Sequence, residues 1–178
     1  TFEEYLDCRE LDLTIAVMHN HHLFSDLAAL CKWFYLSWFD FLLTFHANRW
    51  SYSPSIAQFY DGFRQDIVRG LWASREAMEA DVEQHMERYL ADGFGINELT
   101  SRKAIATLQL MGELYEFLFK KMEQLLSREG HLTPIIKQYL DEAKTFNLLR
   151  KHKLLEPSLQ HEGTFHFDFK SLMREGST

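Results

Sequence analysis

The chain has 178 residues, of which 46% are hydrophobic and 15% aromatic, with 19 basic and 26 acidic side chains. This wealth of aromatic residues excludes an intrinsically disordered chain, and the length is sufficient for one domain whose core needs no disulfide. The acidic balance, without a run of Lys or Arg, excludes a protein that acts only by binding nucleic acid.

The cysteine count and the hydropathy indicate the redox environment of the protein and whether it spans a membrane. Cys8 and Cys31 are too few for a disulfide framework or a four-thiolate metal site, which favours a reducing, cytoplasmic environment. The longest apolar run, residues 33–45, is too short to cross a bilayer and contains Asp40, so we expect no membrane span. Because the chain starts without Met at a helix start, we expect it to be the C-terminal fragment of a larger protein.

Helix-start signals recur along the first half of the chain. The predicted N-cap residues are Thr1, Ser25, Ser37, Ser53 and Ser74. Thr1 and Glu4 form a capping box, and Pro54 occupies the first helical position after Ser53, where proline is favoured. We expect the first helix to end near His19 and the helix after Ser74 to end at Gly93.

The second half predicts two further helices. Thr100 is expected to begin the longest helix, which ends near Arg128 and carries apolar residues at steps of three and four. Thr133 precedes a last helix that reaches about Arg150. The sequence therefore predicts an all-α fold in which about six to seven helices form an orthogonal or irregular bundle.

The C-terminal tail departs from this helical pattern. Thr164–Phe169 alternates apolar and polar residues, as a β-strand does. A lone strand cannot satisfy its own backbone amides, so the segment either lies over the helices or pairs with a strand in another part of a larger protein. We expect a single helical domain over residues 1–178 with an extended tail at 157–178.

Motifs that carry chemistry are missing. The sequence contains no nucleophile elbow and no phosphate loop, and Gly93-x-Gly95 follows a helix rather than a strand, which argues against a dinucleotide site. His19 and His22 have metal-ligand spacing only across a helix break, so we interpret them as a polar helix end. We expect no catalytic, cofactor-binding or metal-binding residue in this chain.

Some polar side chains are candidates for facing a substrate or a neighbouring domain. They are Arg64, Arg69, Arg75, Asn97 and His46. The arginines, together with Arg49, could hold an anionic group. The plainer alternative is solvation or a local pair such as Arg75 with Glu79, a turn role for Asn97 and a structural role for His46.

A family resemblance adds to this interpretation. Three stretches in this order carry it: LSWFDFLL at 36–43, RGLWASREAME at 69–79 and YLADGFGINEL at 89–99. They resemble the helical C-terminal region of radical SAM proteins that also carry an N-terminal cobalamin-binding domain. That region has a Ser-Arg-Glu helix start, an acidic helix and a closing aromatic–Asp–aromatic segment, which Phe167-Asp168-Phe169 resembles. The similarity extends over residues 10–169.

The resemblance implies a parent enzyme that uses a [4Fe–4S] cluster, S-adenosylmethionine and cobalamin to methylate or rearrange an unreactive carbon. The cluster run Cys-x-x-x-Cys-x-x-Cys and the cobalamin-ligand run Asp-x-His-x-x-Gly are both absent from this sequence. No catalytic residue of the family therefore carries over. The resemblance implies a non-catalytic accessory domain that covers or shapes the substrate site and docks on the upstream barrel and cobalamin-binding domains of the same polypeptide.

Two alternatives stay open beside that hypothesis. The Phe and Trp content also suits a stand-alone helical module that binds an apolar ligand, such as a lipid or tetrapyrrole, in a closed cavity on the order of several hundred Å³. The long helix Thr100–Arg128 and the strand-like tail also suit an oligomerisation or partner-docking domain.

Overall fold

A computed structural model describes residues 1–20, 23–91, 98–155, 162–169 and 171. The helices are α1 Phe2–Met18, α2 Ser25–Trp33, α3 Trp38–Ala47, α4 Pro54–Arg69, α5 Arg75–Gln84, α6 Met86–Ala91, α7 Glu98–Ile105, α8 Met111–Arg128 and α9 Pro134–Leu155. A π-helical turn, Ala106–Leu110, joins α7 to α8, and a single residue separates α5 from α6. If α5 is counted with α6, and α7 with α8, the described residues form seven helical units and no strand. The predicted all-α class is confirmed.

The caps explain where most of these helices begin. At α1, Thr1 and Glu4 form the predicted capping box. The hydroxyls of Ser37, Ser53 and Ser74 accept the backbone N–H three residues further on, at 3.1, 3.2 and 3.2 Å. Each of these bonds satisfies an amide that the helix itself leaves without a partner.

Some helix boundaries differ from the sequence-based expectations. The cap of α2 is Phe24 rather than Ser25, because the Phe24 ring is buried against Tyr115, with 4.9 Å between ring centroids, and fixes the chain there. The predicted helix after Ser74 is interrupted at His85. Gly93, its expected end, lies outside the described residues.

The core forms where the inward faces of α1, α3, α4 and α8 meet. Its largest fully buried side chains include Tyr60, Tyr115, Phe45 and Phe63. Burial of such rings provides most of the favourable free energy of folding. None of the described helices has the length and apolar character that a membrane crossing requires.

Thr164–Phe169 alternates like a strand in the sequence, but the segment forms no strand in the structure and bends at residues 166 and 167. The backbone N–H of His166 donates to Glu142 Oε2 of α9 at 2.7 Å, so a side chain replaces the missing neighbouring strand. The alternation nevertheless places the rings on one side, where Phe165 and Phe169 pack on Phe146 with centroids 5.6 and 5.2 Å apart. Of the two arrangements expected for Thr164–Phe169, the structure therefore shows the one in which this segment lies over the chain's own helices.

Candidate functional site

A buried charge cluster joins α1 to α3 and α4. Glu10 lies on the inner face of α1 and its side chain is 0% exposed. Arg49, just after α3, donates from Nε to Glu10 Oε2 at 3.0 Å and also from Nη2 to the same oxygen. Arg64 of α4 donates from Nη1 to Glu10 Oε1 at 3.2 Å. Both carboxylate oxygens are therefore held by guanidinium groups from two other parts of the fold.

A hydrogen-bonded trio lies one helical turn along α1. The Thr14 hydroxyl lies 3.1 Å from the Glu10 carbonyl, 2.8 Å from His46 Nδ1 and 2.7 Å from the Tyr60 hydroxyl. A carbonyl only accepts, so Thr14 donates its single proton there. His46 Nδ1–H and Tyr60 O–H must then donate to Thr14, which assigns His46 to the tautomer protonated on Nδ1.

The surroundings keep His46 uncharged at neutral pH. Burial and the nearby Arg49 charge lower the pKa of His46 to about 4, against a smaller opposing effect of Asp7. Burial likewise raises the pKa of Tyr60, despite its hydrogen bond to Thr14. The trio is therefore neutral and lies next to the Glu10 ion pairs, an arrangement that fixes helix positions.

His46 makes stability depend on pH. Its pKa is lower in the folded chain than in the unfolded chain, so the unfolded state binds more protons between about pH 4 and 6.5 and stability falls as the pH falls through that range. We expect a loss of about 1 kcal/mol between pH 7 and pH 5, discounted for partial exposure. Urea unfolding at both pH values measures it.

His46→Asn should remove most of that loss, since the amide can donate to Thr14 but does not titrate. His19→Asn, a change at an exposed histidine, is the matched control and should keep the wild-type pH dependence. An unchanged pH dependence in His46→Asn would show that other groups cause it.

The structure brings together only some of the predicted candidates. His46 and Arg64 both meet α1, and Arg64 also contacts Glu3. Arg69 and Arg75 are exposed and form local pairs, with Asp66 at 3.8 Å and with Glu79 at 2.7 Å. Asn97 lies outside the described residues.

Sequence reasoning missed Glu10, Thr14 and Tyr60. A signal for Glu10 does exist, because it stands four residues after Leu6 and three before Leu13, both of them buried. A carboxylate on an apolar helix stripe needs a cationic partner. The partners themselves, however, lie 39 and 54 residues away in the chain.

A second feature is a set of exposed apolar side chains on the segment that comprises α5, α6 and the residues just before α5, which we call the α5–α6 arm. The set consists of Leu71, Trp72, Met78, Met86 and Leu90, which are between 38% and 73% exposed. No side chain of α5 is buried. Met78 lies on α5, and Met86 and Leu90, four residues apart, lie on α6. We call this set the α5–α6 surface.

The other side chains of this arm are strongly acidic. The exposed carboxylates are Glu76, Glu79, Glu83 and Glu87. An amphipathic helix usually turns its apolar residues to a core, but here the described bundle does not cover them. The arm therefore has the amphipathic composition of a helix that packs on a core, but its apolar side chains are exposed.

The cysteines do not suit a metal cluster. Cys8 is exposed and Cys31 is buried, and burial raises the pKa of the Cys31 thiol to about 11, away from the thiolate that binds metal. Within the described ranges, no three side chains of His, Cys, Asp or Glu converge as a metal site would require.

Comparison with known proteins gives no family for this chain. No protein-family model, curated protein or solved structure matches it.

Proposed function

We propose that this chain is a non-catalytic accessory domain that docks on a larger catalytic protein through the α5–α6 surface. The observation that carries the proposal is the exposure of Leu71, Trp72, Met78, Met86 and Leu90 on an arm whose first helix buries nothing. Large exposed apolar areas on a domain mark protein–protein interaction sites.

The charges around this surface indicate the kind of partner it fits. Glutamates border the apolar side chains along the arm, and within α5 the guanidinium of Arg75 is taken up locally by Glu79. A partner with an apolar centre and basic rim would complement both features, and rim charges chiefly speed association.

The partner that we propose is the catalytic barrel of a cobalamin-dependent radical SAM enzyme. The sequence resemblance supports this, together with local features that agree with it. Ser74 caps the Ser-Arg-Glu helix start, an acidic helix follows, and a rod spanning Glu98–Arg128 comes next. The segment Phe167–Phe169 then lies against α9, where Phe167 is 5.3 Å from Tyr139 between ring centroids.

The proposal places every cofactor outside this chain. A radical SAM cluster needs three thiolates, and the two cysteines here do not fit it. The parent protein would hold the [4Fe–4S] cluster, S-adenosylmethionine and cobalamin in its upstream domains. This chain would contribute a docking surface and a rigid helical cover to the substrate site.

Reading the coding DNA on both sides of this segment provides the partner for a binding test. We expect an open frame that encodes Cys-x-x-x-Cys-x-x-Cys upstream, and the upstream part can be expressed as a separate polypeptide. Met86→Glu/Leu90→Glu should weaken its binding to the 178-residue chain at least tenfold, because two charges replace buried apolar contacts.

Ile135→Glu is the matched control, since Ile135 is 61% exposed but lies on α9, away from the arm. It should leave binding unchanged. Equal binding by the double variant and wild type would contradict docking through this surface. A start codon directly before Thr1 would contradict the radical SAM parent but not the docking surface.

A further inference from the structure

A half-open groove is lined by α3 and α8. Its lining side chains come from positions three and four residues apart on both helices, so each helix contributes one continuous face. The cavity volume is about 410 Å³. That volume is in the range of small-molecule sites, which are about 300–1,000 Å³.

The floor of the groove is apolar. Phe41 and Phe45 of α3 and Leu125 of α8 line it, with Leu36 at the end nearest the start of α3. Phe41 and Phe45 are themselves buried, so the floor is anchored in the core. An apolar group placed here would leave water on contact with rigid walls.

Two opposite charges at the groove, Lys121 and Asp40, have no ion-pair partner among the described residues. Lys121 Nζ lies 5.7 Å from the centre of the Tyr52 ring and has no carboxylate in ion-pair distance among the residues described. The Asp40 carboxylate likewise has no hydrogen bond or ion pair within the described ranges, since only the backbone of Asp40 is engaged by Ser37 and Thr44. Both side chains line the groove.

These charges are offset along the groove. Tyr52, over which Lys121 lies, stacks on Phe45 with centroids 4.9 Å apart, so Lys121 belongs to the Phe45 end. Asp40 is five residues earlier on α3, which is about 7.5 Å along a helix axis. An extended dipeptide spans about 7 Å between its ends.

We propose that this groove binds a short apolar peptide of two residues with both ends free. Its ammonium group pairs with Asp40, its carboxylate pairs with Lys121, and its apolar side chains lie on Phe41, Phe45 and Leu125. At the rim, Arg128 Nε already donates to Glu129 Oε1 at 2.9 Å, so this ion pair takes no part in binding. The site does not depend on docking through the α5–α6 surface.

Titration of the ¹⁵N-labelled 178-residue chain with L-leucyl-L-phenylalanine tests this by NMR. We expect shifts confined to α3 and α8 and a Kd on the order of 0.1 mM, as expected for a ligand of this size. N-acetyl-leucyl-phenylalanine lacks the ammonium group and leucyl-phenylalanine amide lacks the carboxylate. Each should bind at least fivefold more weakly, because each leaves one protein charge unpaired.

Two variants separate the charges of the site. Lys121→Met should abolish the preference for the free carboxylate, and Asp40→Asn should abolish the preference for the free ammonium group. Lys120→Met, a change of the neighbouring exposed lysine on α8, is the control and should keep both preferences. Equal affinity for the free and blocked peptides in the wild type, or no binding up to 10-fold above the expected Kd, would overturn the proposal.

Discussion

Replacing Glu10 by Met should destabilise the fold by about 3–5 kcal/mol, the cost of breaking a buried ion pair by removing one partner. The reason is that Arg49 and Arg64 would keep their charges while the buried carboxylate that both contact is lost. Arg64 keeps Glu3 as a partner. Among the described carboxylates Arg49 keeps only Asp7, at 3.7 Å, beside its bond to the His46 carbonyl oxygen at 2.8 Å. Urea unfolding followed by circular dichroism gives the free energy.

Two further variants show whether that loss comes from the uncompensated charge. Asp12→Asn, a change at an exposed carboxylate on the same helix, should cost under about 0.5 kcal/mol. In Glu10→Met/Arg49→Met, where the charge is removed together with its partner, we expect most of the stability to return. If the double variant is as unstable as the sum of the two single changes, the two side chains do not act as a pair.

Phe169→Ala should cost about 3 kcal/mol, at the lower end of the range for a buried Phe. Phe169 is 2% exposed and packs on Phe146 and Tyr139 of α9, with ring centroids 5.2 and 5.5 Å away. Its loss opens a cavity between the tail and the bundle. The decrease in the free energy of unfolding cannot exceed what docking of this segment contributes, because its detachment leaves the remaining helices in place.

Phe167→Ala is the matched comparison, since Phe167 stands two residues earlier but is only half-buried. We expect it to cost less than half as much as Phe169→Ala in the same urea titration. Equal stability of Phe169→Ala and wild type would mean that the tail is not docked on α9 in solution.

Local signals in the sequence explain how much of the fold could be predicted. Caps at Thr1, Ser37, Ser53 and Ser74 were correct because a cap depends on residues within three positions. For Thr164–Phe169 the sequence left two arrangements open, because alternation reports only which side the rings face. It does not report what accepts the backbone bonds, and here Glu142 provides that acceptor.

The candidate site was harder to predict for a related reason. His46 and Arg64 were selected as polar residues near aromatic helices, but what they contact depends on α1. Glu10 is recognisable as a carboxylate on an apolar stripe only once the position of that stripe in the core is known. The exposure of the α5–α6 surface was not predicted either, since the sequence of an amphipathic helix cannot show that the described bundle leaves it uncovered.

The helical bundle and the α5–α6 arm differ in how they are held in the fold. The Glu10 cluster holds α1, α3 and α4 together through buried charge pairs. The arm carrying Met78 and Met86 adds little to that core, since no side chain of α5 is buried. A rigid bundle with an uncovered apolar arm is the arrangement expected of a domain that completes another protein.

Methionine oxidation by hydrogen peroxide, compared between the isolated chain and the product of the complete reading frame, tests the docking claim most directly. Met78 and Met86 are exposed in the isolated chain, whereas Met18, Met111 and Met122 are buried and provide the internal control. We predict rapid oxidation of Met78 and Met86 in the isolated chain and at least tenfold protection of both in the complete protein. Where the frame encodes a longer protein, equal oxidation rates in the isolated chain and in that protein would contradict docking through the α5–α6 surface.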